Sequence, residues 1–417
     1  MTTERVTILV TGATGNIGRH VVRGLLTAGV AVRALVRDPG AAELPDGVEL
    51  VRGDLTRPAE LAAALAGVDA VFLLWPFPTA EGAAPVLDVI AAHAGHVVYV
   101  SSMSVRDDQE PALNGVWGEI EQLIEKSGLT WTFLRPGGFA TNTLEWAGQI
   151  RADATVRWVY GGAGRSLIHE RDIAEVAVRA LTGPEHLGMR YVLTGPEVLT
   201  QEEQVRIIGE VIGRPVRWLE IPVAQARQIL VDVWANADFV DGAFGYWATL
   251  VTDPEPVTRT VEEVTAVPAR SFRDWAVDHA DEFRPLSVPQ VADRYVSLIR
   301  KGRFDLVGQL MAPDVLRVAP METGGAPVEL RGMTSIMDNS RRLTADTEIH
   351  RVEVDGPYLR GDRFAVRFTF DETHLPTGVR GTTSKMSLYT VSGGLIGREE
   401  VYYLDPPRMF GQQGRGD

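Results

Sequence analysis

Residues 6–18, VTILVTGATGNIG, constrain this chain more than any other stretch. Residues 6–10 form an unbroken apolar run rich in β-branched side chains, the pattern of a central parallel strand buried on both faces. Gly12, Gly15 and Gly18 follow in the spacing GxxGxxG, and Ile17, Val21, Val22 and Leu25 then recur at helical spacing. A strand, a glycine turn and a helix start make an anion site. Free backbone N–H groups and the positive end of the helix dipole converge there, and the missing Cβ atoms let a diphosphate approach. The plainer alternative is a glycine turn that only packs helix on strand. The order strand, glycines, helix argues against it.

Strand patterns at 30–36, 48–51, 70–74, 97–100 and 130–134 alternate with helical patterns at 58–66, 83–92 and 113–126. This predicts an α/β Rossmann-type domain, a doubly wound parallel sheet with right-handed crossovers. Ligands bind outside the carboxyl ends of such strands, where Gly12, Arg37, Asp54, Trp75, Ser101 and Pro136 stand. Residues 137–285 read as a smaller substrate lobe, with helices at 172–181, 201–212 and 223–236 and strands at 191–193 and 216–219. Trp234, Phe239, Phe244, Tyr246 and Trp247 cluster there, and are expected as core ahead of a pocket roof.

The texture changes at 283–289, and all nine tryptophans lie before it, the last being Trp275. Helical patterns at 291–311 and 334–343, then strands at 349–354, 364–373, 382–391 and 395–404, predict a separate α+β domain with an antiparallel sheet and helices on one side. The expected organisation is 1–285, 286–408 and a mobile tail at 409–417.

A net charge of −14 with no basic tail gives nucleic acid no electrostatic footprint. No apolar run reaches the roughly 18 residues of a membrane span, and the amino-terminal apolar run leads into the glycine loop rather than a cleavage site. The absence of cysteine excludes disulfides and thiol catalysis, and no histidine constellation has metal-ligand spacing, so no metal is expected. These features fit a cytoplasmic protein. Lysine is scarce: Lys126, Lys301 and Lys385 are the only three.

Arg37 ends the second strand, where a cation favours the 2′-phosphate of NADP and an acid would favour NAD. Asp38 follows at once and competes for the ribose role. Asp54, in GDL, is placed to meet the adenine amine or to cap the turn before Pro58. The segments VTGATGNIG, LVRDP, GDL, VYVSS, SGLTWTFLRPGGFATN, HERDIAEVAVRAL, TGPEVLT and SFRDWAVDHADEF resemble the NmrA-like, atypical short-chain dehydrogenase/reductase family over about residues 5–284. The resemblance implies NADP(H) bound by Gly12, Thr14, Gly15, Asn16, Ile17, Arg37, Asp54, Leu55, Trp75, Ser101 and Phe139. His169 and Asp172 match its HxxD segment, Asp172 being expected to pin its helix rather than catalyse.

Carbonyl reduction in short-chain dehydrogenases needs a tyrosine acid with a lysine four residues on. No YxxxK occurs here: Trp117 stands near the tyrosine position and Glu121 near the lysine position. An indole is no acid, so ordinary ketone reduction by that pair is excluded. Ser101 or Ser102 can bind a substrate oxygen, and Glu121 reads as a solvated helix glutamate ahead of an acid/base.

VADRYVSLIRKGRFDLVGQLMAPDV and MSLYTVSGGLIGREEVYYL resemble the SnoaL-like family, relatives of ketosteroid isomerase and nuclear transport factor 2. That resemblance implies a cone with an apolar pocket, used for isomerisation, cyclisation, binding or dimerisation. Phe364, Val366, Phe368 and Phe370 alternate with Arg367, Thr369 and Asp371, so one face is core and the other polar. Asp371, with His374, His350, Asp355 and Glu399, is a candidate acid or base. The first expectation is therefore an NADPH-dependent reductase of a small activated alkene, quinone or imine, in secondary metabolism, forming a homodimer through the C-terminal domain. The alternatives are a non-redox cyclase or isomerase with a structural cofactor, and an NADP(H)-binding redox sensor.

Overall fold

β1 (Thr7–Val10) lies inside a seven-stranded parallel sheet with β2 (Ala31–Val36) on one side and β4 (Ala70–Leu73) on the other. The computed structural model describes residues 6–109, 111–234, 236–319 and 328–404. The tail expected at 409–417 lies outside the described residues. The sheet continues as β3 (Glu49–Arg52) beyond β2, and as β5 (His96–Val100), β6 (Thr130–Pro136) and Arg190–Leu193 beyond β4. The order reverses between β1 and β4, so the chain after β1 enters a crevice that no crossover covers. Arg190–Leu193 was expected in the substrate lobe. It instead pairs parallel with β6 as the seventh strand of the main sheet.

Both faces of the sheet are covered. Helix α1 (Gly18–Thr27) packs with Glu170–Thr182 on one face; α2 (Leu61–Leu65), α3 (Ala83–Ala91) and α4 (Gly115–Lys126) cover the other. The helical spacing of Val21, Val22 and Leu25 turns all three inward, each with 0% exposure. Truncating one of them costs about 2–5 kcal/mol through lost burial and the cavity left behind.

The described residues divide into two compact units: those up to Trp146 together with Val156–Glu282, and Ala147–Thr155 together with those from Phe283 onward. The second contains a six-stranded sheet in the order Val328–Arg331, Met311–Ala319, Leu395–Tyr403, Val379–Ser392, Arg363–His374, Thr347–Arg360. Two strands more than expected are present, because residues 311–319 pair as a strand instead of ending a helix. That helix stops at Arg300. The sheet is mixed rather than antiparallel, since Met311–Ala319 runs parallel to Leu395–Tyr403. Register shifts within the Met311–Ala319, Thr347–Arg360 and Val379–Ser392 ladders bend it. Its inner face buries Phe364, Val366, Phe368, Tyr389 and Val391 against Tyr295 and Val291 of the helix Val288–Arg300.

Among the described residues, no helix is long and apolar enough to cross a membrane, and no cluster of acidic and histidine side chains could hold a metal ion.

Candidate active site

The turn after β1 is built for close approach. Gly12 has φ +61°, left-handed backbone that favours glycine, and Gly15 donates its N–H to the Gly12 carbonyl at 2.9 Å. A Cβ on Gly18 would stand 2.1 Å from that same carbonyl oxygen, so no larger residue fits there. Ile17 is buried and anchors the start of α1, while Gly12, Thr14, Gly15 and Asn16 stay exposed along one edge. Among the described residues, the N–H groups of Asn16 and Ile17 have no protein acceptor. Together with the helix dipole they leave hydrogen-bond donors at this turn of the kind an anion site needs. One residue escaped the sequence reading: Arg19, whose guanidinium bonds the Asn16 side chain at 2.5 Å and leans on the Gly15 carbonyl at 3.3 Å. A cation one residue past the third glycine was its only signal.

At the end of β2, Arg37 and Asp38 are held differently. Asp38 caps the short turn Pro39–Ala41, its carboxylate accepting from the Gly40 N–H at 3.0 Å. Arg37 is exposed and, among the described residues, has no ion-pair partner. Asp54 does hold its turn: one carboxylate oxygen accepts from both the backbone N–H and the hydroxyl of Thr56 at 2.9 Å. Those two bonds hold its carboxyl below the usual range. The other oxygen is left to a ligand, with Leu55 half-buried beside it.

Farther along the crevice, the Ser101 hydroxyl is buried with no hydrogen-bond partner among the described residues. At a strand's carboxyl end, such a hydroxyl is free to bond a ligand group. Ser102, by contrast, spends its hydroxyl on a turn, bonding the Ser104 hydroxyl at 2.9 Å and accepting from the Ser104 N–H at 3.1 Å. Phe139 is half-buried and bridges to Ile168. Trp75 donates its indole N–H to the Thr79 carbonyl at 2.8 Å and meets Phe77 edge-on.

Trp75, Pro76, Phe77, Pro78, Val116, Trp117, Asn236 and Phe239 line an open cavity of about 370 Å³. No lining side chain is ionisable. Trp117 is thus a wall of the cavity, and the aromatic stretch divides: Phe244 is core, as expected, whereas Phe239 lines the cavity. The side chain of Trp234 lies outside the described residues.

Glu121 is not solvated, and this corrects the sequence reading. It is 4% exposed, and both carboxylate oxygens accept from Arg135, at 2.9 and 2.7 Å. Arg135 also binds Asp107 at 2.7 Å. Both oxygens of this carboxylate are thus engaged by a buried guanidinium that holds the side chain in place. The HxxD segment is likewise structural. Asp172, fully buried, accepts from the Arg270 N–H at 2.8 Å and from its guanidinium, and so pins its helix as expected.

In the second unit, Asp371 falls on the outer face of the sheet. It is paired with Arg380 at 2.8 Å, and that guanidinium lowers its pKa instead of the expected rise in an apolar pocket. Asp355 accepts from Tyr358, His350 contacts Thr373 and His374 contacts Thr377, all at the surface. Of the five candidates only Glu399 turns inward, with 2% exposure. Arg317 donates to it at 2.7 Å and Tyr389 at 3.3 Å, and the Tyr389 and Tyr295 hydroxyls meet at 2.5 Å.

The profile of an NAD(P)H-binding family matches residues 12–184, and that of the SnoaL-like domain matches residues 292–399. A (4-alkanoyl-5-oxo-2,5-dihydrofuran-3-yl)methyl phosphate reductase of Streptomyces griseus subsp. griseus is 43% identical over 284 residues, 67% of this chain and 99% of that protein. The chain belongs to the NAD(P)H-binding family of NmrA-like, atypical short-chain oxidoreductases. An NAD(P)H azoreductase of Xenophilus azovorans is 38% identical over 283 residues, covering 66% of this chain and 99% of that one. The triphenylmethane reductase of Citrobacter sp., solved in complex with NADP(H), shares the fold at a TM-score of 0.56 and 21% identity, over 66% of this chain and 99% of its own. The glycine cradle, the unpaired Arg37 and the orphan Ser101 hydroxyl fit the cofactor that defines this family.

Proposed function

We propose that the chain is an NADPH-dependent reductase of small, flat organic molecules whose acceptor is an activated C=C, a quinone or an N=N or C=N bond. The observation that carries this reading is the aromatic cavity at the end of β4, which has no proton-donating side chain in its wall. Reducing a simple ketone leaves an alkoxide oxygen that needs an acid to protonate it. Adding hydride to a conjugated acceptor spreads the charge over the conjugated system, and the final proton comes from water. The relatives agree: the Streptomyces enzyme's substrate carries two carbonyl groups on one ring carbon, and the Xenophilus enzyme acts on azo compounds.

In this reading the amides at residues 12–18 receive the diphosphate, and Arg37 pairs with the 2′-phosphate. The free oxygen of Asp54 and the Leu55 side chain face the adenine. Ser101 gives its hydroxyl to the nicotinamide end, with Trp75 and Phe139 flanking it. The nicotinamide supplies the hydride. Trp75, Trp117 and Phe239 hold the acceptor flat and exclude water from one face of it, so orientation does most of the work. Glu121 keeps Arg135 buried and neutralised, and takes no part in proton transfer.

The first catalytic unit is assigned to residues 1–285, the SnoaL-like domain to 286–408 and a tail to 409–417. A cytoplasmic location, a place in secondary metabolism and a homodimer through the second domain belong to the same proposal. The test is loss of NADPH absorbance with a panel of enones, quinones, azo dyes and simple ketones. Turnover of at least one conjugated class and none of the ketones is expected; ketone reduction alone would overturn the reading.

A further inference from the structure

Seven of the eight side chains that line the open cavity at the end of β4 are aromatic, proline or valine; the eighth is Asn236. Local structure puts it there. Asn236 caps the helix Ala237–Thr249, its side-chain oxygen accepting from the Phe239 N–H at 3.1 Å. A backbone N–H bonds only the oxygen end of an amide, so the cap fixes which way the amide is turned. The oxygen is spent on Phe239, itself a wall of the cavity, and the NH2 end is left over. Among the described residues that NH2 has no hydrogen-bond acceptor, and Asn236 is half-buried.

The other polar groups of the wall are two indoles. Trp75 gives its N–H to the Thr79 carbonyl at 2.8 Å. Trp117 keeps its N–H free among the described residues. The wall therefore offers N–H donors and no acid. A flat apolar molecule that carries one accepting oxygen answers both features: its rings pack on the aromatic side chains, and its oxygen satisfies a donor. A carbonyl oxygen accepts a hydrogen bond more strongly than an azo or imine nitrogen held in an aromatic system.

We propose that the Asn236 amide donates to a carbonyl oxygen of the substrate, so that enones, unsaturated lactones and quinones are preferred over azo and imine compounds. This role rests on the cavity being the place where the hydride is received. Hydride addition at the β-carbon moves the C=C electron pair toward the carbonyl, and the oxygen takes up the negative charge of an enolate. Water then gives the α-carbon its proton, and NADPH leaves as NADP+, so atoms and electrons balance. The amide's bond to that oxygen strengthens as the charge grows, so it lowers the barrier as well as orienting the ring. An amide does not release its proton at neutral pH, so the same group cannot complete the reduction of a simple ketone.

Asn236→Asp tests this. Aspartate caps a helix as well as asparagine does, and its charge suits the helix amino end. Stability in urea unfolding, followed by tryptophan fluorescence, is expected to match or exceed wild type. The carboxylate has no N–H to give. Two bicyclic probes of similar shape separate donation from packing: coumarin carries a lactone carbonyl, and naphthalene carries none. Their binding is measured by calorimetry on the whole chain with NADP+ present, which has no hydride to deliver. A neutral hydrogen bond is worth about three- to tenfold in affinity. The ratio of coumarin to naphthalene affinity is expected to fall by about that factor in Asn236→Asp. Trp117→Phe removes the other free N–H, keeps an aromatic wall and is expected to lower the ratio less. An asparagine that only caps its helix would leave the ratio at the wild-type value. That result, a larger fall in Trp117→Phe than in Asn236→Asp, or no binding of coumarin to the wild type overturns the proposal. Failure of every conjugated compound to oxidise NADPH would overturn the reductase reading, while the affinity ratio still decides the role of Asn236.

Discussion

Replacing Glu121 separates a structural ion pair from a catalytic acid. Arg135 is buried, with side-chain exposure of 5%, and its partners are Glu121 at 6% and Asp107 at 66%. Breaking a buried pair strands a charge and costs about 3–5 kcal/mol. Asp107 still reaches Arg135 in a Glu121→Ala variant, so the expected loss falls to about 2–4 kcal/mol. Glu121→Gln keeps an amide oxygen as acceptor for one bond and is expected to cost about 1–2 kcal/mol. Asp107→Ala removes an exposed partner, for less than about 1 kcal/mol. The readout is clean, because all nine tryptophans lie between Trp75 and Trp275 and none in the second domain. Urea unfolding followed by tryptophan fluorescence therefore reports the first domain alone. Turnover by the folded fraction should stay near wild type in the glutamine variant. Wild-type stability of Glu121→Gln, with turnover lost by about a hundredfold or more, would make Glu121 a proton donor and refute the assignment.

Other outcomes follow from the same geometry. Arg37→Ala is expected to weaken NADPH binding by about ten- to a hundredfold, one or two charge-assisted hydrogen bonds, and to leave NADH nearly unchanged in calorimetric titration. Gly18→Ala should open the cradle, because its Cβ would sit 2.1 Å from the Gly12 oxygen; both cofactors bind more weakly and about 1–3 kcal/mol of stability is lost in urea unfolding. Burial lowers the pKa of His20 from 6.5 to about 4, against the pull of Glu170 and with help from Arg171, Arg19 and Arg23. A depressed folded-state pKa gives stability that is full above pH ~6.5 and is lost as pH falls toward 4. Wild type is thus expected to lose about 1–2 kcal/mol between pH 7 and pH 5 from this group, and His20→Gln to lose correspondingly less in tryptophan-monitored unfolding.

What was legible in the sequence was whatever depends on neighbours along the chain. The GxxGxxG spacing, the apolar run before it and the helical stripe after it fix the cradle within about twenty residues. The 190–193 strand was misplaced because only its pairing with β6 gives it a role, and four residues carry no such information. Glu121 looked solvated because its partner, Arg135, sits on the next strand. Glu399 meets Arg317 across 82 residues, so nothing local marked it as the inward carboxylate. Asp371 is a different case. The alternation of Phe364, Val366, Phe368 and Phe370 already put it on the polar face, and the same parity, carried across the strand pair, puts Lys385 inside.

Everything above turns on hydride delivery to a conjugated acceptor from a cofactor seated on the glycine cradle. Its most direct test is turnover of 4-deuterated NADPH with an α,β-unsaturated lactone bearing a second carbonyl on the alkene. Deuterium is expected at the β-carbon of the saturated product, with a solvent-derived proton at the α-carbon. Deuterium on a carbinol carbon, or tight NADPH binding with no transfer to any conjugated acceptor, would contradict it.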